Sequence, residues 1–551
     1  MRFSLHIWWT AAMTAMLMAL GGCSDDTPQP NNGGGEENPF TTYIQLTVGT
    51  PVTSRSNPTG GENGDGTEPG ILHENDIHDI TIFVYKDALG GEGLDNPAAT
   101  SFIAKAYFSE SVLNGYRLPE NITETSATYL VPVGRFEADP GQRMAVVVNA
   151  GDLTAINTLG DLRTHICDAA WQNAARIADC DRFVMSNAYN GAKHALDDGR
   201  IKLPTTSLEE AGTREHPLVA EVWIERLAAR IDLIHNASQW TGSQLVYEVR
   251  EAPAAGGPER TTAQVRLTHV LPVNVMQRPS YAFKHVTDGT DIPADLTRLL
   301  VCGDERVADG TDIPVNYVVE PRTVAKNSLT TVPADWYGTT AAANFTAASF
   351  TDANRLGAAT YTTSMSGDPT GYDSFTILSY ANENTQHKDI LRNDILTGLT
   401  IRALYIPAQA YSAYNAITDQ LSAQTYTEGT DLWRYSPSGL TVSDADCLYF
   451  TNREAADVYA GAHPQHAAII THIPGGVCYY NVWLRHANDF LSDPHNHIPM
   501  EYAVVRNNIY RLILTFHGPG STDIIRRNPE HIDSRIYVRP WNFKRHPQII
   551  M

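Results

Sequence analysis

Positive charge is scarce in this chain: 40 Lys and Arg stand against 62 Asp and Glu in 551 residues, a formal net charge of −22. Binding nucleic acid requires clustered cations that displace counterions from phosphate. No basic stripe occurs, so nucleic acid is excluded as a partner, and the surplus acid reads as a solvated surface. Cysteine is also sparse. After Cys23 come only Cys167, Cys180, Cys302, Cys447 and Cys478, with no C-x-x-C pair, which argues against a disulfide scaffold and leaves most of them as small buried apolar residues. Catalytic signatures are missing as well: no G-x-S-x-G, no P-loop, no G-x-G-x-x-G and no H-E-x-x-H. Neither enzymatic activity nor a cofactor is expected.

Two histidine groupings require a decision. His73-Glu74 with His78 is spaced H-E-x-x-x-H, which does not put both imidazoles on one helical face, and these read as surface histidines. In D-P-H-N-H, an extended segment would point His495 and His497 to the same side, where with Asp493 they could meet one Zn²⁺. His472 and His486 lie upstream, but nothing in the sequence closes the site. An exposed polar loop is the default reading.

What is present begins at the N-terminus. Arg2 precedes an apolar run from Phe3 to Leu20 that ends in L-G-G-C at 20–23. A plain membrane anchor would need about this length, but Gly21-Gly22 before Cys23 favours a small-residue cleavage site. Residues 1–22 therefore resemble a bacterial lipoprotein signal peptide with Cys23 as the lipidated residue. Ser24-Asp25-Asp26 resembles the acidic tag that sends such lipoproteins to the outer surface. Residues 23–40, rich in Pro, Asn, Gly and Glu, cannot bury enough apolar surface to order themselves and read as a tether.

Next comes Y-I-Q-L-T-V, 43–48, with Ile44, Leu46 and Val48 on one face of a strand. The Gly/Pro/Asn-rich stretch from Thr50 to Gly70 follows; within it Arg55 is the only Lys or Arg between Arg2 and Lys86. Further strands are expected at 77–84, 143–150, 219–234, 264–275, 399–406, 477–485, 501–516 and 535–539, with a helix opening near Asp152. Short strands separated by turns, with few helical runs, indicate an all-β chain of β-sandwich domains. The expected boundaries are 41–236 and 237–551, joined near Asn236-Ala237-Ser238.

The segments G-V-C-Y-Y-N-V-W-L-R-H-A-N-D (476–489), M-E-Y-A-V-V-R-N-N-I-Y-R-L-I-L (500–514) and I-Y-V-R-P-W-N-F-K-R-H-P-Q-I-I-M (536–551) resemble the closing strands of Bacteroidales type V pilins, nearest the minor-fimbrium major-subunit (fimbrillin) family. E-N-D-I-H-D-I-T-I-F-V-Y (74–85), R-M-A-V-V-V-N-A and F-V-M-S-N-A fit the same family's first domain. The resemblance implies two transthyretin-like β-sandwich domains, export as an outer-membrane lipoprotein precursor, and a fimbrial shaft role at the cell surface serving adhesion. Its partners would be other copies of the chain, accessory fimbrial subunits and an Arg-specific protease, with surface ligands left unspecified.

The resemblance further implies a cut after a basic residue in the loop behind the first strand, here between Arg55 and Ser56. That cut would release the lipid, the tether and the strand carrying Ile44, Leu46 and Val48. The bared edge would template a strand from a neighbour. The C-terminal tail offers Ile536, Val538, Phe543, Ile549, Ile550 and Met551 as a donor, although Pro540 and Pro547 restrict pairing around them. The alternatives are an anchor subunit, which keeps its lipid and needs no cut at Arg55, or a tip subunit. A surface glycan-binding lipoprotein also stays open, although the nine Trp are scattered rather than clustered.

Overall fold

The computed structural model describes residues from Thr41 to Asn542 with interruptions, chiefly 50–67, 87–99, 189–199, 288–299, 302–316, 386–393 and 487–499. Among the described residues the protein is built mostly of β-strands, with a few short helices. A seven-stranded sheet runs in the order Ala104–Ser109, Asp79–Lys86, Gln142–Val148, Met185–Asn187, Leu218–Arg226, Thr41–Gly49, Ser126–Gly134. Its strands are unusually apolar because both faces are covered. Met144, Val146 and Val148 pack with Ile44, Leu46, Ile80 and Ile82 on one side. Ala145 and Val147 pack on the other side with Phe83, Tyr85, Phe375, Ile377 and Ile509, so a layer of core is shared with the second half of the chain.

That second half is a sandwich. One sheet is ordered Trp240–Thr241, Gln244–Glu251, Arg260–Val273, Gly398–Pro407, Val477–Trp483. The other is ordered Thr362–Ser364, Ser374–Ala381, Ala229–His235, Asn508–Phe516, Ile532–Asn542, Glu68–Pro69. Ile231, Leu233, Leu512 and Val538 of the second sheet meet Leu245, Val265, Ile401 and Tyr480 of the first. A smaller sheet (Ala410–Asn415, Gln420–Gln424, Leu432–Ser436, Leu448–Phe450, Ile469–Ile473) carries the helix Arg453–Ala462. Asn452 caps that helix by accepting from the Ala455 amide at 2.9 Å.

Several expected elements differ in extent. The strand expected over 219–234 is two strands, Leu218–Arg226 and Ala229–His235, broken at buried Leu227-Ala228. The second of them pairs with Ser374–Ala381 and Asn508–Phe516, so the chain changes sheets ahead of the boundary expected at Asn236. The helix does not open at Asp152, whose carboxylate instead accepts from Thr154 N and Oγ1 in a turn. It spans Leu159–Thr164, where Thr158 accepts from the Asp161 amide. The strand expected at 501–516 begins only at Asn508, because Asn507 takes a left-handed φ of 56°.

Candidate assembly site

Strand Thr41–Gly49 is enclosed on both sides. It runs antiparallel to Ser126–Gly134, with Ile44 opposite Val131, Leu46 opposite Tyr129 and Val48 opposite Ala127. On its other flank it runs parallel to Leu218–Arg226, Ile44 opposite Leu218 and Val48 opposite Val222. Alternation sends Ile44, Leu46 and Val48 inward, each fully buried, while Tyr43, Gln45 and Thr47 on the other face are half-buried. Side chains fix the register: the Thr47 and Thr128 hydroxyls are 3.0 Å apart, and Thr42 Oγ1 exchanges bonds with the Phe136 backbone. Burying these three side chains contributes about 5–9 kcal/mol. Taking the strand away would expose that core together with two unpaired ladder edges.

Arg55 and Ser56 lie outside the described residues, as does Cys23. Past the loop, Glu68–Pro69 lies parallel to Trp541–Asn542. Immediately afterwards Glu74, expected within a surface histidine motif, is fully buried in a cluster of charges. Its carboxylate accepts from Arg230 Nη1 at 2.9 Å, from the Tyr380 hydroxyl at 2.7 Å and from the Ile71 amide at 2.7 Å. Arg230 in turn pairs in bidentate fashion with Asp232, both bonds 3.0 Å, and Asp232 also accepts from Arg511 at 3.2 Å. Arg226 donates to the Glu74 carbonyl at 2.9 Å and to the Asn75 side chain.

Burial lowers the pKa of both guanidinium groups. Asp232 and Glu74 outweigh that effect at Arg230 and hold it above the ordinary arginine value. At Arg226 burial wins over Glu74, and the pKa falls to about 9. The cluster pins residues 70–75 to strands of the C-terminal half. No local signal in the sequence marks it, because its partners meet only in the folded chain.

The C-terminal strand Ile532–Asn542 pairs along its length with Asn508–Phe516. Ile536 and Val538, expected in the donor tail, are committed to the subunit's own core. Phe543, Ile549, Ile550 and Met551 lie outside the described residues, as do Asp493, His495 and His497. The histidines upstream of them do not converge: His486 is fully buried, with Nδ1 2.9 Å from the Tyr510 hydroxyl, and His472 bonds Asp431 at 3.0 Å. Among the described residues one metal-like group occurs, His73, Asp76 and Asp181, with ligand atoms within 4.8 Å of one another. Cys167, Cys180, Cys447 and Cys478 are free and buried, the fate expected of them; burial pushes the Cys167 thiol up to about 12.

Residues 474–545 match the family model described as major fimbrial subunit protein type IV, fimbrillin, C-terminal. Residues 474–545 of this chain are thus similar to the C-terminal region of fimbrial subunit proteins. Similar solved structures include the tip fimbrial protein Mfa3 of Porphyromonas gingivalis with a C-terminal truncation, at 11% identity over 91% of this chain and 100% of that one, TM-score 0.32. A fimbrilin (FimA) of the same organism is 13% identical over 92% and 99%, TM-score 0.35. Likeness at this level does not extend to function. No curated protein matches the chain in sequence.

Proposed function

We propose that the chain is a fimbrial shaft subunit, exported as a lipoprotein through Cys23 to the outer membrane. In this reading an Arg-specific protease cuts between Arg55 and Ser56, and the subunit polymerises by strand exchange to serve adhesion in two β-sandwich domains.

The observation that carries the reading is the placement of Thr41–Gly49, internal to its sheet and yet the first strand among the described residues. An N-terminal strand can leave without unthreading anything else, and the groove it vacates asks for an apolar strand of similar length. The buried cluster around Glu74 supports the same reading, because it holds the chain just past the loop while the strand before the loop departs. With Ile536 and Val538 held in the subunit's core, the donated segment begins beyond Asn542, at Phe543 and Ile549-Ile550-Met551.

N-terminal sequencing of the protein in surface filaments tests this. Ser56 is the expected first residue. Filament protein that begins at a lipidated Cys23 would overturn the shaft reading in favour of an anchor subunit.

A further inference from the structure

A cleft of about 630 Å³ opens where the two halves of the chain meet. One wall comes from the loop at 168–180, between Leu159–Thr164 and Met185–Asn187. The opposite wall comes from the end of Arg260–Val273 and from the residues closing strand Ser374–Ala381. The size suits a small-molecule site, and the lining narrows the ligand class. Among the described residues no Lys, Arg or His lines the cleft and Asp168 is its only carboxylate, so these residues offer nothing to an anion. Side-chain amides from Gln172, Gln277 and Asn382 make it too polar for a lipid.

Two features point to a bound hydroxylated ring. Trp171 from one wall and Tyr380 from the other meet with ring centroids 5.9 Å apart, and Tyr380 is fixed because its hydroxyl is spent on Glu74. Aromatic faces of this kind pack the C–H face of a sugar. Independently, Asn382 is only 6% exposed; its Nδ2 donates to the Met276 carbonyl at 2.6 Å, while its Oδ1 has no hydrogen-bond partner among the described residues. A buried acceptor left without a donor is costly and uncommon, and a ligand hydroxyl is a donor that would satisfy it. We propose that this cleft binds a neutral saccharide unit. The site is an amide-lined slot with a single indole, which is why no cluster of Trp announces it in the sequence.

This names a ligand class for the adhesive role proposed above. It can fail separately from that role, because binding is measured on protein that need not polymerise. The test is saturation-transfer NMR of the whole protein with methyl α-D-mannoside, methyl β-D-galactoside, methyl α-L-fucoside and N-acetylglucosamine at millimolar concentration, and N-acetylneuraminic acid as the anionic control. Transfer to at least one neutral sugar is expected, and none to the acid. Trp171→Ala should weaken binding about tenfold, the worth of one aromatic contact, and Asn382→Leu should abolish it. Because Asn382→Leu also removes the bond to Met276, Gln277→Ala on the exposed rim serves as a second variant, expected to weaken binding in a chain with unchanged near-UV circular dichroism. No transfer to any neutral sugar, preference for the acid, or transfer unaffected by Trp171→Ala and Gln277→Ala would each overturn the proposal.

Discussion

Glu68 stands opposite Trp541 in a short parallel bridge, so the first described residues after Arg55 close part of the outer edge of the C-terminal strand. Glu68–Pro69 and the C-terminal strand are therefore neighbours in space, although they sit near opposite ends of the sequence.

Low-dose trypsin should cut the folded protein first after Arg55, because a segment rich in Gly, Pro and Asn fits a protease at small cost. Arg55→Ala should abolish both that cut and the SDS-resistant oligomers that follow it, leaving a folded monomer. Gel electrophoresis with N-terminal sequencing checks both; cells carrying Arg55→Ala that still display filaments of normal length refute the activation scheme.

Cys23→Ala should leave the precursor without lipid and absent from the cell surface, since acylation requires that thiol. Metabolic labelling with palmitate and surface immunostaining measure the two effects.

Leu46→Ala in the uncut precursor should cost about 2–5 kcal/mol in urea denaturation, the usual range for a fully buried leucine. In protein already cut and assembled the same substitution should cost nothing, because the strand has gone.

Glu74→Ala should destabilise the protein by about 3–5 kcal/mol, since it leaves buried Arg230 short of a counter-charge. It should also raise the rate at which the segment after residue 68 is digested once the loop is cut, which mass spectrometry of the fragments will show.

His517 links three strand ends: its Nδ1 is 2.6 Å from Glu251 and its Nε2 is 3.0 Å from Asp533 on the C-terminal strand. Burial pulls this imidazole down, but the two carboxylates outweigh burial and raise it above its ordinary value. A raised value means that the contribution to stability is complete below the unfolded value of about 6.5 and is lost as pH climbs through the folded value. Amides of Ile532–Asn542 should therefore exchange faster at pH 8 than at pH 6 after correction for intrinsic rates. His517→Ala should erase that difference.

Alternation made the first strand legible: Ile44, Leu46 and Val48 lie on the face the sequence assigns to them. The continuous run Met144–Val148 likewise reads as a strand, and the structure explains its lack of polar positions by the second core behind it. The break at Leu227-Ala228 was hidden because an apolar stretch that passes from one buried sheet to another keeps its composition. Glu74 was hidden because an acid's fate depends on partners such as Arg230 and Tyr380, far away in the chain. The helix Arg453–Ala462 went unread; the Asn452 cap before it was the available signal.

A strand lying where Thr41–Gly49 lies is flanked on both sides by neighbours nearly parallel to its own axis. Ladder hydrogen bonds run across that axis, so a pull along the strand loads all of them together in shear instead of peeling them apart one after another. A chain of subunits joined through such a slot would resist tension with the combined strength of two ladders and a row of buried side chains, and would yield far more readily to a sideways force that opens the slot from one end.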